Sequence, residues 1–229
     1  VYDQEIERIF LKSWLYAGHV SEILNSGDWV LFELAGESLI ITRSADGNVN
    51  ARLNVCRHRG SRVCVEKKGC SKVLRCRYHG WTYDMKGQLM AAAHMDESFD
   101  KSLIGLRKIH VEILEGMIFV NFAEQPAPFS IVQQGLAQHL APYDLANARV
   151  AHRQNYPIAA NWKLAVENYC ECYHCGPAHP EYSMGHGLAH ADSRTEHLYQ
   201  EVMSRAAACG LSGSEVNRMY LDAEAFGAD

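Results

Sequence analysis

The sequence predicts an α+β protein in which an antiparallel β-domain is followed by a second domain that opens with helices. Three observations lead there. From residue 27 to about residue 122, short runs rich in β-branched and aromatic residues alternate with Gly-containing turns such as Ala45-Asp46-Gly47-Asn48 and Asp84-Met85-Lys86-Gly87. Apolar residues recur at helical spacing before and after this region. Between the β-region and the later helices stands Gln125-Pro126-Ala127-Pro128, a linker by composition.

Taken in order, residues 3–16 place Ile6, Ile9, Phe10, Leu11, Trp14 and Leu15 on helical spacing, with Asp3 as a cap. Strands are expected at 29–34, 38–42, 49–54, 73–75, 81–83, 111–114 and 117–122. Beyond the linker the pattern predicts helices over 130–140 and from Asn161 into a Cys/His-rich segment, with a strand at 149–158 between them. The expected division is an N-terminal helical segment over 1–26, the β-domain over 27–124, and a second domain over 125–229 that looks cut short.

A chain of 229 residues with 48% apolar content can bury one large core or two modest ones. Apolar runs such as 39–41 and 117–120 are strand-sized, so no membrane span is expected. The chain starts at Val1 with no charged-then-apolar signal segment, so a trimmed native N-terminus is expected. Eight cysteines could suggest a disulfide framework, but a chain this size needs none and several lie beside histidines. The reading is a reduced, cytoplasmic protein. The net charge of −5 hides a polarity: residues 57–77 hold eight basic side chains and one acid, +7, against −12 for the remainder. No nucleic-acid-binding motif accompanies that charge, and no such partner is expected.

Two loops each offer one thiolate and one imidazole: Cys56-Arg-His58-Arg-Gly60 and Cys76-Arg-Tyr-His79-Gly80-Trp81, with residues 59–75 between the pairs. A Rieske [2Fe–2S] cluster needs two thiolates on one iron and two imidazoles on the other, so each loop would supply one ligand of each kind. Glycines following the histidines let the backbone turn close to the cluster, and Trp81 would keep water out. Zinc could use the same four ligands, although its usual spacings pair cysteine with cysteine and histidine with histidine.

The second constellation is Glu167, Asn168, Glu171, His174 and His179. On a continuous helix of about 3.6 residues per turn, Glu167, Glu171 and His174 share a face. Gly176-Pro177 would break the helix and free His179 to turn back toward the same metal. Two histidines plus a carboxylate make the facial triad of non-haem iron(II) oxygenases, and a surface helix end is the competing reading. Cys170, Cys172 and Cys175 fall on differing faces and read as small core residues. His186 and His190 show metal-like spacing in a Gly-rich loop, a pairing that is usually incidental.

Together, Cys-x-His, seventeen residues, Cys-x-x-His, then Asn161-Trp162-Lys163 and Glu167-Asn168-x-x-Glu171-x-x-His174-x-x-x-x-His179, resemble the alpha subunits of Rieske non-haem iron ring-hydroxylating oxygenases. The wording around Glu171 is most similar to the branch acting on quaternary amines such as glycine betaine, carnitine or stachydrine. The resemblance implies a Rieske β-domain followed by a truncated helix-grip catalytic domain on an antiparallel sheet. It implies an oxygenase component that uses O₂, and electrons from NAD(P)H through a reductase or ferredoxin, to hydroxylate a small organic substrate, by N-demethylation or ring hydroxylation. It further implies a homotrimer with Cys56, His58, Cys76 and His79 on the cluster, His174 and His179 on a mononuclear Fe(II), and Glu171 as the inter-subunit electron-transfer bridge. The third, carboxylate ligand is not identified; Asp192, Asp222 and Asp229 lack recognisable context. A Rieske electron-transfer protein without oxygenase activity is the alternative.

Overall fold

The structure is a computed structural model that describes residues 1–96, 98–171 and 174–179, together with Gln200, Ser204 and Ala208. The chain divides into two compact units, Val1–Arg153 and Gln154–Asp229. His186, His190, Asp192, Asp222 and Asp229 lie outside the described residues. No described helix is long and apolar enough to cross a membrane.

The first unit is built on β1 (Leu15–His19), β2 (Asp28–Leu34), β3 (Glu37–Arg43), β4 (Val49–Leu53), β5 (Lys68–Cys70), β9 (Lys108–Leu114) and β10 (Met117–Asn121). They form one antiparallel sheet in the order β1-β10-β9-β4-β3-β2-β5. A second sheet joins β6 (Leu74–Arg75), β7 (Thr82–Tyr83) and β8 (Leu89–Ala91).

The apolar run in β3 shows why the sheet sits centrally. A strand with one wet face alternates, whereas Ser38 to Thr42 are all buried. Leu39 and Ile41 face one core with Val30, Ala51, Ile109, Ile118 and Val120. Ile40 faces the other, with Trp29, Leu74, Trp81, Tyr83, Cys56 and Cys76. Each fully buried Ile or Leu contributes about 1.5–3 kcal/mol. The second core is therefore what seats the small sheet, and the Cys/His loops at its end, on the large one. Polar ties fix the register: Thr42 Oγ1 donates to the Met85 carbonyl (2.5 Å) and Arg52 Nε to the Lys86 carbonyl (2.6 Å). Lys86 also pairs with Asp46 at 2.8 Å, but that pair is half exposed and adds little.

The expected helix over 3–16 is shorter. α1 spans Tyr2–Arg8, a single 3₁₀ turn follows at Phe10–Lys12, and Leu15 onward becomes β1. Ladder bonds to β10 and burial of Ala17, Gly18 and His19 outweigh local helical spacing there. The remaining predicted strands stand within a residue or three of their expected ends, and α2 occupies Ser130–Leu140. The strand expected at 149–158 is not formed: those residues are exposed and have no ladder partner among the described residues. A strand is made by its partner, and period-two sequence alone does not supply one.

Candidate metal and electron-transfer sites

The two Cys/His loops fold alike. In the first, the Cys56 N–H donates to the Ser61 carbonyl (2.8 Å), and the Gly60 N–H to the Cys56 carbonyl (3.0 Å). In the second, the Cys76 N–H donates to the Trp81 carbonyl (2.9 Å), and the Gly80 N–H to the Cys76 carbonyl (3.0 Å). Gly60 and Gly80, each four residues after its cysteine, sit at φ +74° and +73°, the left-handed conformation glycine adopts freely. The matched elements are the cysteine and this glycine, while the histidine stands second in one loop and third in the other.

Cys56 and Cys76 are buried free thiols, and the His58 and His79 rings meet edge-on with centroids 4.6 Å apart. Among the described residues, His58 Nδ1 is buried with no hydrogen-bond partner, which suits a nitrogen that binds metal. Desolvation, then the neighbouring His79 and Arg59, holds the His58 imidazole below its ordinary pKa and favours the neutral form a metal requires. Trp81, 4% exposed, stacks on His58 at 4.8 Å and 7°, excluding water as its sequence position suggests. This donor set fits a [2Fe–2S] cluster held on two irons.

Tyr83 has no role in the sequence reading. Its hydroxyl accepts the Arg57 N–H (3.0 Å) and lies 3.3 Å from Cys56 Sγ. Burial, then the contact with Cys56, pushes its pKa up, so the phenol keeps its proton and has it to donate once Cys56 is a thiolate. Only its place in β7, facing the cores, could have hinted at this. Cys64 is buried nearby with its thiol pushed up to about 11 by desolvation, which makes it a poor metal ligand. Two of the basic side chains are already paired, Arg62 with Glu33 (2.6 Å) and Arg77 with Glu66 (3.4 Å), both in solvent. Tyr78 is 63% exposed on the second loop.

In the second unit, α3 spans Trp162–Cys170, and its Asn161 cap side chain accepts the Lys163 N–H at 3.0 Å. The helix stops one residue short of Glu171, which is extended (φ −97°, ψ 141°). Glu171 and His174 therefore do not meet along one helix face. His174 instead caps a four-residue helix α4, Cys175–Ala178, and His179 closes it. Gly176-Pro177 lies inside α4 and does not break the chain as expected; in a first turn, proline's missing N–H goes unneeded.

The pieces still converge. Glu171 Oε1 lies 2.5 Å from His174 Nδ1 and accepts Asn168 Nδ2 at 3.1 Å. The His174 and His179 rings stand edge-on, centroids 5.5 Å apart. With Nδ1 bound to a carboxylate, His174 is left Nε2 as its metal-facing nitrogen, the arrangement that orients metal-binding imidazoles. Among the described residues, Glu171 Oε2 is buried without a partner. Among the described residues no three His, Cys, Asp or Glu side chains converge on one ion, so the two histidines stand without a third donor. Cys175 is buried as expected, Cys170 is exposed because α3 has no buried residue, and Cys172 lies outside the described residues.

Residues 13–110 match the Rieske [2Fe-2S] domain family, and residues 145–223 match the ring hydroxylating alpha subunit (catalytic domain). The chain belongs to the Rieske ring-hydroxylating oxygenase alpha subunits. It is 41% identical over 182 residues to the glycine betaine monooxygenase oxygenase subunit of Pseudomonas aeruginosa, covering 79% of this chain and 42% of that one. It is 36% identical over 187 residues to the carnitine monooxygenase oxygenase subunit of Acinetobacter baumannii, covering 80% and 50%. A solved quaternary ammonium Rieske monooxygenase, CntA, in complex with L-carnitine superposes with TM-score 0.73 at 36% identity, covering 79% of this chain and 53% of that one. Naphthalene 1,2-dioxygenase from Rhodococcus sp. gives TM-score 0.73 at 32%, covering 84% and 46%. This Rieske chain thus spans about half the length of the relatives it matches. Matches to both domains favour the cluster over zinc and the alpha subunit over a lone electron carrier.

Proposed function

We propose that this chain is part of the oxygenase component of a multicomponent Rieske non-haem iron system that N-demethylates a quaternary amine. Residues 27–124 are the cluster domain and 125–229 the start of the iron domain. Electrons come from NAD(P)H through a reductase or ferredoxin, in the cytoplasm, and the working assembly is a homotrimer. The single observation that carries this is the Glu171–His174 contact: the carboxylate holds Nδ1, which leaves Nε2 for a metal that His179, edge-on to the His174 ring, can share. Glu171 is the bridge from this iron site to a cluster histidine of a neighbouring subunit. Cys56, Cys76, His58 and His79 hold the cluster, and His174 and His179 hold the iron. When bound, the cluster passes single electrons and the iron activates O₂. The chain's residues hold neutral imidazoles in place, keep water from His58 through Trp81, and fix the His174 tautomer through Glu171.

Reconstituted protein should be red-brown, and its dithionite-reduced form should give a Rieske-type paramagnetic resonance signal. In a chain of the relatives' length, iron analysis should return three irons; two would restore the electron-carrier reading. A colourless protein with one zinc would overturn both.

The second reading within the enzyme class is aromatic ring hydroxylation, since naphthalene dioxygenase shares the fold. Turnover assays on a full-length protein with glycine betaine, carnitine and naphthalene separate the two.

Two further results are expected. Tyr83→Phe removes a donor to Cys56 sulfur, and a donor stabilises the more negative reduced cluster. The potential should therefore fall by about 40 mV, as a net hydrogen bond of about 1 kcal/mol would give; an unchanged midpoint would mean the hydroxyl serves Arg57 alone. Cluster reduction by the cognate donor should also slow as salt rises. The exposed basic side chains of 57–77 act over a Debye length of about 8 Å at physiological ionic strength. A rate indifferent to salt would make them a solvated surface.

A further inference from the structure

We propose that Asn54 is a positioning residue for the [2Fe–2S] site, holding the first cluster loop in its binding shape before a cluster is present. This rests on the assignment of Cys56, His58, Cys76 and His79 to the cluster.

The two loops are closed at their necks by different means. The second is held by main-chain pairing, Leu74 opposite Tyr83 and Arg75 opposite Thr82. The first has no such ladder: β4 ends at Leu53, and residues 61–65 form no strand. In its place stands one side chain. Asn54, fully buried, accepts the N–H groups of Val63 and Cys64 on Oδ1, both at 2.9 Å. Its Nδ2 donates to the Cys64 carbonyl at 2.7 Å and to Ser38 Oγ at 3.1 Å. Its own N–H donates to the Ser38 carbonyl at 2.8 Å. A carboxamide offers two donors and room for two acceptor contacts, and all four are used.

The consequence is a closed ring of chain from 54 to 63–64 that contains Cys56 and His58, anchored to β3 through Ser38. Closing a loop costs entropy, and a neck closed beforehand spares cluster binding that cost. Only an amide does this. Aspartate keeps the acceptor contacts but sets an oxygen against the Cys64 carbonyl, in a site where nothing can solvate it.

Asn121 provides the control. It is equally buried, donates to the Lys12 carbonyl at 3.1 Å and accepts the Ala123 N–H at 2.9 Å, and neither bond reaches a cluster loop. The experiment compares wild type, Asn54→Asp and Asn121→Asp. It measures the rate of cluster loss to an iron chelator, amide hydrogen exchange over 55–62 in the cluster-free protein, and thermal stability. Asn54→Asp should lose its cluster about tenfold faster and exchange those amides faster, whereas Asn121→Asp should lower stability and keep the wild-type release rate. Should Asn54→Asp not fold, Ser38→Ala removes one of the four contacts and should speed release about threefold. Wild-type release from Asn54→Asp, or from Ser38→Ala where that variant stands in, would overturn the proposal. So would equal acceleration in Asn121→Asp at matched stability. A wild-type chain that takes up no cluster would instead overturn the assignment beneath it.

Discussion

A full-length protein carrying Glu171→Gln is expected to keep both metal centres and to turn over about a hundredfold more slowly. The amide can still lie beside His174, so iron content and the Rieske resonance should match wild type. What is lost is the carboxylate charge beside the His174 Nδ1–H, on the bridge proposed to the neighbouring cluster. A decisive form mixes this variant with His79→Ala, whose cluster is dead but whose Glu171 is intact. Transfer between subunits predicts recovered activity, because an intact cluster can then face an intact bridge and iron on a neighbouring chain. Transfer within one subunit predicts none, since every chain carries one broken step. A verified mixed trimer that stays inactive would remove the cross-subunit role from Glu171.

Gly116→Ala is expected to destabilise the first unit by about 3 kcal/mol, read from urea unfolding. Gly116 is the second residue of the β9–β10 turn at φ +76°, where a side chain is strained in itself. An added Cβ would also collide with the His19 ring, meeting Nε2 first and Cε1 at 3.0 Å. His19 has nowhere to go: it is 6% exposed, Nε2 donates to the Leu145 carbonyl (3.0 Å) and Nδ1 faces Ser21. Gly36→Ala makes the comparison. It occupies the equivalent place in the β2–β3 turn at φ +87°, with nothing within 4 Å of the added carbon, and should cost only about 1 kcal/mol. Equal losses at the two sites would show that the turn, and not His19, sets the cost.

How far the sequence could be read depended on whether the deciding contact was local. β2 and β3 were legible because 29–34 and 38–42 carry enough branched and aromatic residues to be strands anywhere. The cluster loops were legible because ligand chemistry fixes their spacing. β1 was not: its helical periodicity is real, and it yields to a partner strand far along the chain. β5 was not either, since Lys68-Gly69-Cys70 has no pattern of its own; it forms where the Trp29 indole packs against Gly69, closer than any side chain there would permit. The break before His174 was misplaced at Gly176-Pro177, because proline late in a helix and proline in a new first turn look alike without the backbone. Asn54 and Tyr83 carry no motif at all; each matters for what it reaches.

The edge pairing of β1 also bears on how the protein is made. Leu15 sits opposite Val120, about a hundred residues later in synthesis. At about 5–20 residues per second the first strand waits on the order of 5–20 s for its partner, and Cys56 to His79 are all translated within that wait. Those ligands are therefore present while one margin of the sheet is still unpaired. Iron–sulfur assembly machinery acting on the nascent chain would meet the loops in an unfinished fold, and Asn54, Ser38 and Val63, all nearby in sequence, can meet without the late strands.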